Sequence, residues 1–185
     1  MFPALGLYAG GFFLRLSATA TLGGRTVWKP SPGSGKLYTG GALGIVRHPI
    51  YLGSAAMISG LSLISSPQGA ALILGVDIPL LSLFAWLEER SLAVTHPEYA
   101  DYKKRIPAVL PRLPLSRGPM KDAWNALGTE GGRALRSEAA NAALLGGFIA
   151  FWLTPDLRFF WGSAGLALIA ALTAPVWEKL LRGHP

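Results

Sequence analysis

Residues 47–89 read RHPIYLGSAAMISGLSLISSPQGAALILGVDIPLLSLFAWLEE: a cationic cluster, two apolar runs that meet at Pro67, and a closing pair of carboxylates. The apolar runs, 51–66 and 68–87, predict two helices. Pro67 supplies a tight turn between them. A hairpin of this kind returns Arg47 and His48 to the end where Glu88 and Glu89 emerge. If both helices cross a bilayer, the two clusters share one membrane face and line one polar pocket.

Working outward, three more apolar stretches stand at roughly 2–22, 139–154 and 159–177. A helix rises about 1.5 Å per residue and a bilayer core is about 30 Å thick, so about 20 residues span it. The stretches 2–22, 68–87 and 159–177 reach that length, whereas 51–66 and 139–154 need flanking residues. Pro155-Asp156 predicts a second tight turn and a C-terminal hairpin over 139–178. The expected fold is therefore all-α, a polytopic membrane protein with about five transmembrane helices. It forms a single domain, 1–185, whose motif-bearing region is 35–113. Residues 1–22 lack a basic start and a small-residue cleavage site, so they read as a retained span.

Composition agrees with a membrane setting. The 185 residues are 51% apolar, with a mean hydropathy of +0.38, and 15% charged, against about 25% in soluble domains. Four basic residues fall in 23–49, nine in 88–138 and two in the tail, out of 17 in all. Such flanking charge marks cytoplasmic loops, so the N-terminus is expected outside and the C-terminus inside. This predicts a multi-pass protein of the cell (inner) membrane with its site facing the cytoplasm. Arg15, inside the first span, is expected to snorkel to the headgroups. The net charge of +7 contains no basic block of five or more, so no nucleic-acid partner is expected. With no cysteine, disulfides, thiolate catalysis and cysteine metal sites are excluded. The three histidines lack ligand spacing, so no metal site is predicted.

The clusters admit more than one chemistry. Arg47, His48 and Tyr51 suit an interfacial anchor, yet they stand where Pro49 opens a helix whose N–H groups favour an anion. Glu88 and Glu89 need cationic compensation, from protein groups or from a ligand ammonium, sulfonium or ribose. Asp77, mid-span and two residues before Pro79, is a functional candidate by its depth, and a structural or tunnel-lining role is the preferred reading. Small residues such as Gly53 and Gly60 suit close helix packing. Residues 120–128 suit a short interfacial helix.

Thr39 to Gly53, Glu88-Glu89-Arg90-Ser91-Leu92, Tyr99-Ala100-Asp101-Tyr102 and Ile106-Pro107 together resemble the isoprenylcysteine carboxyl and phospholipid methyltransferases of membranes. The resemblance covers roughly 35–113. It implies S-adenosylmethionine as cofactor, contacted by Lys36, Leu37, Tyr38, Leu43, His48, Pro49, Ile50, Tyr51 and Glu88. It also implies a catalytic role for Arg47 and Glu89 and a hydrophobic methyl acceptor near Phe84. Two positions depart: Leu43 replaces the family's usual Tyr, and Phe84 stands where the prenylcysteine branch carries Arg. A lipid-like acceptor is then favoured over a prenylated protein. Competing expectations are a membrane reductase using NADPH and a small non-catalytic membrane protein. Oligomeric state is open.

Overall fold

The computed structural model describes residues 2–23, 37–154, 156, 158, 161–170 and 173. The elements are α1 (Phe2–Thr21), a 3-10 turn (Gly41–Gly44), α2 (Pro49–Ser62), α3 (Pro67–Thr95), α4 (Tyr99–Arg105), α5 (Arg117–Ser137) and α6 (Ala139–Leu153). A further apolar helix covers Trp161–Ala170. No strand occurs among the described residues, so the all-α expectation holds.

Local chemistry explains the hairpin. Pro49 and Pro67 occupy the first turns of α2 and α3, where a missing N–H costs nothing. Ser66 caps α3 by accepting a hydrogen bond from the Gly69 N–H at 3.1 Å. The chain between Ser62 and Pro67 reverses through two further backbone bonds, Ile64 N to Leu61 O and Ser65 N to Ser62 O.

α1 and α2 pack antiparallel at close range, and glycine makes this possible. A Cβ on Gly60 would stand 2.6 Å from the Ala4 carbonyl oxygen, and one on Gly53 the same distance from that of Gly11. Small residues at a crossing let two backbones meet and replace side-chain reach with dispersion contact. Beside this crossing Tyr8, Phe12 and Met57 form one buried cluster, edged by Leu61 of α2 and Ala142 and Leu145 of α6. Tyr8 stacks on Phe148 at 5.7 Å and Phe2 meets Trp152 edge-on at 5.4 Å, so α6 runs antiparallel to α1. At the other end of α1, Ala18, Ala42 and Ile50 make a second buried cluster. α5 lies against α1 and the 3-10 turn, and Pro119 approaches Gly44 so closely that a Cβ there would lie 3.0 Å away.

α3 is different. None of its 29 residues is buried, and its most apolar window has a mean hydropathy of 2.1. At about 1.5 Å per residue it is roughly 43 Å long, more than a bilayer core.

The expectation of about five spans is met only in part. Among the described residues only α3 is both long and apolar enough to cross a membrane. α2 has 14 residues and α6 has 15, about 21 and 22 Å of helix. α2 ends at Ser62 because Leu63 to Ser66 turn the chain, so the predicted 51–66 is shortened at its end. α1 has the length, but Arg15 and the run Ser17-Ala18-Thr19-Ala20-Thr21 dilute its hydropathy. Most of the 159–177 stretch beyond Trp161–Ala170 lies outside the described residues. The loop segment 120–128 is part of the longer α5, whose polar and apolar sides are well separated.

Candidate functional site

The hairpin delivers the two clusters to one place. Glu89, two residues beyond the apolar stretch that ends at Leu87, accepts a 2.7 Å ion pair from Arg47 Nη2. Its Oε1 also lies 2.9 Å from His48 Nε2, and its Oε2 accepts from Lys103 Nζ at 2.7 Å. Burial works against the Glu89 charge, but hydrogen bonds from Lys103 and His48 and the Arg47 guanidinium outweigh it and hold the carboxyl down to about 2.

α4 and the residues just after it complete the enclosure. Arg47 Nη1 donates to the carbonyls of Lys103 at 2.9 Å and Ile106 at 3.2 Å. The backbone N–H groups of Arg47 and His48 donate to Pro107 and Ala108 at 2.8 and 3.2 Å. Tyr102 is buried and its hydroxyl donates to the Leu43 carbonyl at 2.7 Å. Tyr99 is buried beside it, ring to ring at 5.9 Å. Burial, and after it the negative charge of Glu89, push the Tyr99 hydroxyl up to about 12. Among the described residues, Arg47 Nε and the Tyr99 hydroxyl are buried without a hydrogen-bond partner.

A cavity of about 140 Å³ opens between these elements. Its polar wall is Arg47, His48, Tyr51 and Glu88, and its apolar wall includes Leu22, Leu43 and Leu92. That volume is below the roughly 300–1,000 Å³ of sites that enclose a drug-sized ligand.

Of the residues predicted for the site, Leu37, Tyr38, Leu43, Arg47, His48, Pro49, Ile50, Tyr51 and Glu88 line this cavity. Lys36 lies outside the described residues. Glu89 sits behind the wall, gripped by its cations, while its neighbour Glu88 is the exposed member of the pair (45% against 16%). Phe84, one turn earlier on α3, is exposed and does not line the cavity.

A second charged cluster escaped the sequence reading. Arg15 does not snorkel. Its Nε and Nη2 donate to the two oxygens of Glu138, each at 2.9 Å, and its Nη1 donates to the Ser54 hydroxyl. Glu138 is 2% exposed and also accepts from Thr19 Oγ1 at 3.1 Å and Asn141 Nδ2 at 2.6 Å. It stands at the junction of α5 and α6. The available signal was a lone arginine in an apolar stretch together with a single acid at the mouth of another; such charges demand a partner. Among the described residues no three His, Asp or Glu side chains are grouped to hold a metal ion.

No family model matches the chain, and no solved structure matches it. The chain is 35% identical over 83 residues to the cobalt-zinc-cadmium resistance protein CzcN of Cupriavidus metallidurans, covering 44% of this chain and 38% of the relative. It is 34% identical over 85 residues to the nickel-cobalt-cadmium resistance protein NccN of Alcaligenes xylosoxydans xylosoxydans, covering 45% and 40%. The matched segment thus spans about two fifths of the length of these curated relatives. These findings overturn the methyltransferase resemblance, and with it methyl transfer, the enzyme assignment and the reductase alternative: the relatives are named for metal resistance. S-adenosylmethionine was an implication of that resemblance alone. In the site, Arg47, His48 and Lys103 together compensate the Glu89 carboxylate without any ligand. The chain is similar, over part of its length, to proteins named for cobalt-zinc-cadmium and nickel-cobalt-cadmium resistance.

Proposed function

We propose that this chain is a non-catalytic membrane protein that serves as an accessory component of divalent-cation resistance. Its Arg47–His48–Glu89–Lys103 knot acts as a clamp that holds α2, α3 and α4 at one membrane face. The observation that carries this reading is the likeness to two proteins named for resistance to cobalt, zinc, nickel and cadmium. Electrostatics favour an accessory role over direct chelation. A net charge of +7 disfavours gathering a divalent cation at the surface. The two most engaged carboxylates, Glu89 and Glu138, already hold arginine and other donors.

In this reading α3 crosses the inner membrane with α1, α2, α6 and the last apolar helix around it. The N-terminus lies outside, and the knot faces the cytoplasm with the basic loops. The cation is handled by a partner protein.

Deletion of the gene in its own host, followed by complementation, tests the proposal. Growth across zinc, cobalt, cadmium and nickel should fall on deletion and return with the wild-type chain, while the purified protein gives no stoichiometric zinc binding in calorimetry. Unchanged tolerance overturns the resistance role. Tight stoichiometric zinc binding overturns the accessory role in favour of chelation.

A further inference from the structure

The segment between α4 and α5 presents an arrangement that packing does not explain. Leu110 and Leu113 are 80% and 82% exposed, and Trp124 on α5 is 76% exposed, with Met120 one turn before it also bare. Collapse onto the core is prevented because the segment is pinned at both ends. Pro107 and Ala108 are bonded to the backbone of Arg47 and His48, and Pro119 is wedged against Gly44. Exposed apolar side chains that follow one another closely in the chain, as these do, mark an interaction surface.

The charges around them choose the partner. Arg105, Arg112, Arg117 and Lys121 have no carboxylate partner among the described residues. Arg105 and Arg112 reach only backbone carbonyls, those of Asp101 and Lys104. Apolar tips interleaved with unpaired guanidinium and ammonium groups fit a membrane interface, where the tips enter the acyl boundary and the cations meet phosphates. Position agrees. α4 begins four residues after α3 ends, so the segment lies near the end of the candidate span.

We propose that residues 109–115 and the first turns of α5 form a docking surface for anionic lipid headgroups, with Leu110, Leu113 and Trp124 inserted and Arg112, Arg117 and Lys121 on the phosphates. This rests on α3 crossing the bilayer and is independent of the resistance role.

The natural absence of cysteine makes single-site labelling clean. The full chain carrying Leu113→Cys, or Leu80→Cys in α3, is labelled with an environment-sensitive fluorophore. Each is placed in nanodiscs of phosphatidylcholine alone or mixed with phosphatidylserine. The probe at 113 should shift to the blue and be quenched by spin-labelled lipid in the mixed discs, and lose several-fold of that quenching when Arg112→Glu and Arg117→Glu are added. The probe at 80 should be buried in both. A water-like probe at 113 in both lipids, with 80 buried, overturns the docking surface and leaves the span standing. A water-like probe at 80 overturns the span itself. Equal burial at 113 in both lipids and in the charge-reversed variant overturns the anionic preference.

Discussion

Arg15 and Glu138, 123 residues apart, form a two-point ion pair in which both carboxylate oxygens accept from one guanidinium at 2.9 Å. Glu138 is almost wholly buried. The pair ties the middle of α1 to the joint between α5 and α6. Removing one member leaves the other charged and unpaired, a loss of about 3–5 kcal/mol for buried pairs. Glu138→Ala should therefore unfold the detergent-solubilised protein at a much lower temperature. The double change Arg15→Met with Glu138→Leu should recover part of that loss, because no charge is left unpaired, although Thr19 and Asn141 lose their acceptor. A double variant no more stable than the single one would show that the pair does more than neutralise itself.

Glu89 makes a pH-dependent contribution of known sign. Its folded pKa, about 2, is below its ordinary 4.5, so between those values the unfolded chain binds more protons. The stability it supplies is complete above about pH 4.5 and drains away as the pH falls toward 2, on the order of 2 kcal/mol in a partly exposed site. Glu89→Gln should be less stable than wild type near neutral pH, and the difference should shrink at about pH 3. Unfolding midpoints at both pH values check this. A constant difference would mean that the carboxylate charge is not what holds the site.

Two glycines give a paired test of the helix crossing. A methyl group at Gly60 collides with the Ala4 carbonyl, whereas one at Gly75 in α3 meets nothing within 4 Å. Gly60→Ala should cost roughly 1–3 kcal/mol by forcing α1 and α2 apart. Gly75→Ala should be neutral or stabilising by up to about 1 kcal/mol, since alanine is the better helix former. Thermal unfolding of the two variants side by side separates packing from propensity.

Much of this architecture is legible in the chain, for identifiable reasons. Pro67 after two serines reads as a helix start, and the meeting of Arg47–His48 with Glu88–Glu89 follows from a hairpin of matched arms. Which carboxylate takes the cations does not follow. Neighbours on a helix point about 100° apart, and the tertiary placement of Arg47, His48 and Lys103 around Glu89 leaves Glu88 to face the cavity. The Arg15–Glu138 pair was hidden because hydropathy windows score an isolated charge without asking for its mate. The number of spans does not follow from hydropathy for a related cause: apolar runs such as 51–66 and 139–154 pack partly on α1, and burial against protein and burial in lipid leave the same trace in composition. The motif itself was overread. At this helix mouth Arg47, His48 and Lys103 compensate Glu89 whether or not anything binds beside Glu88.

The clamp depends on α4 as well, and Tyr102 isolates that dependence. Its ring is buried and its hydroxyl donates to the Leu43 carbonyl at 2.7 Å, joining α4 to the 3-10 turn across the cavity. Burial, ahead of the nearby charges, raises the hydroxyl above its ordinary 10.0, so it remains a donor throughout the physiological range. Tyr102→Phe keeps the ring and removes the bond, leaving the carbonyl without that donor, a cost of about 1 kcal/mol. Because the bond connects two short elements, the loss should appear as local opening. Amide exchange in residues 99–106 should speed up about five-fold, while exchange in α1 and the first half of α2 stays unchanged. Uniform acceleration across the chain would instead mean that α4 unfolds only with the whole bundle, and that the site cannot open by itself.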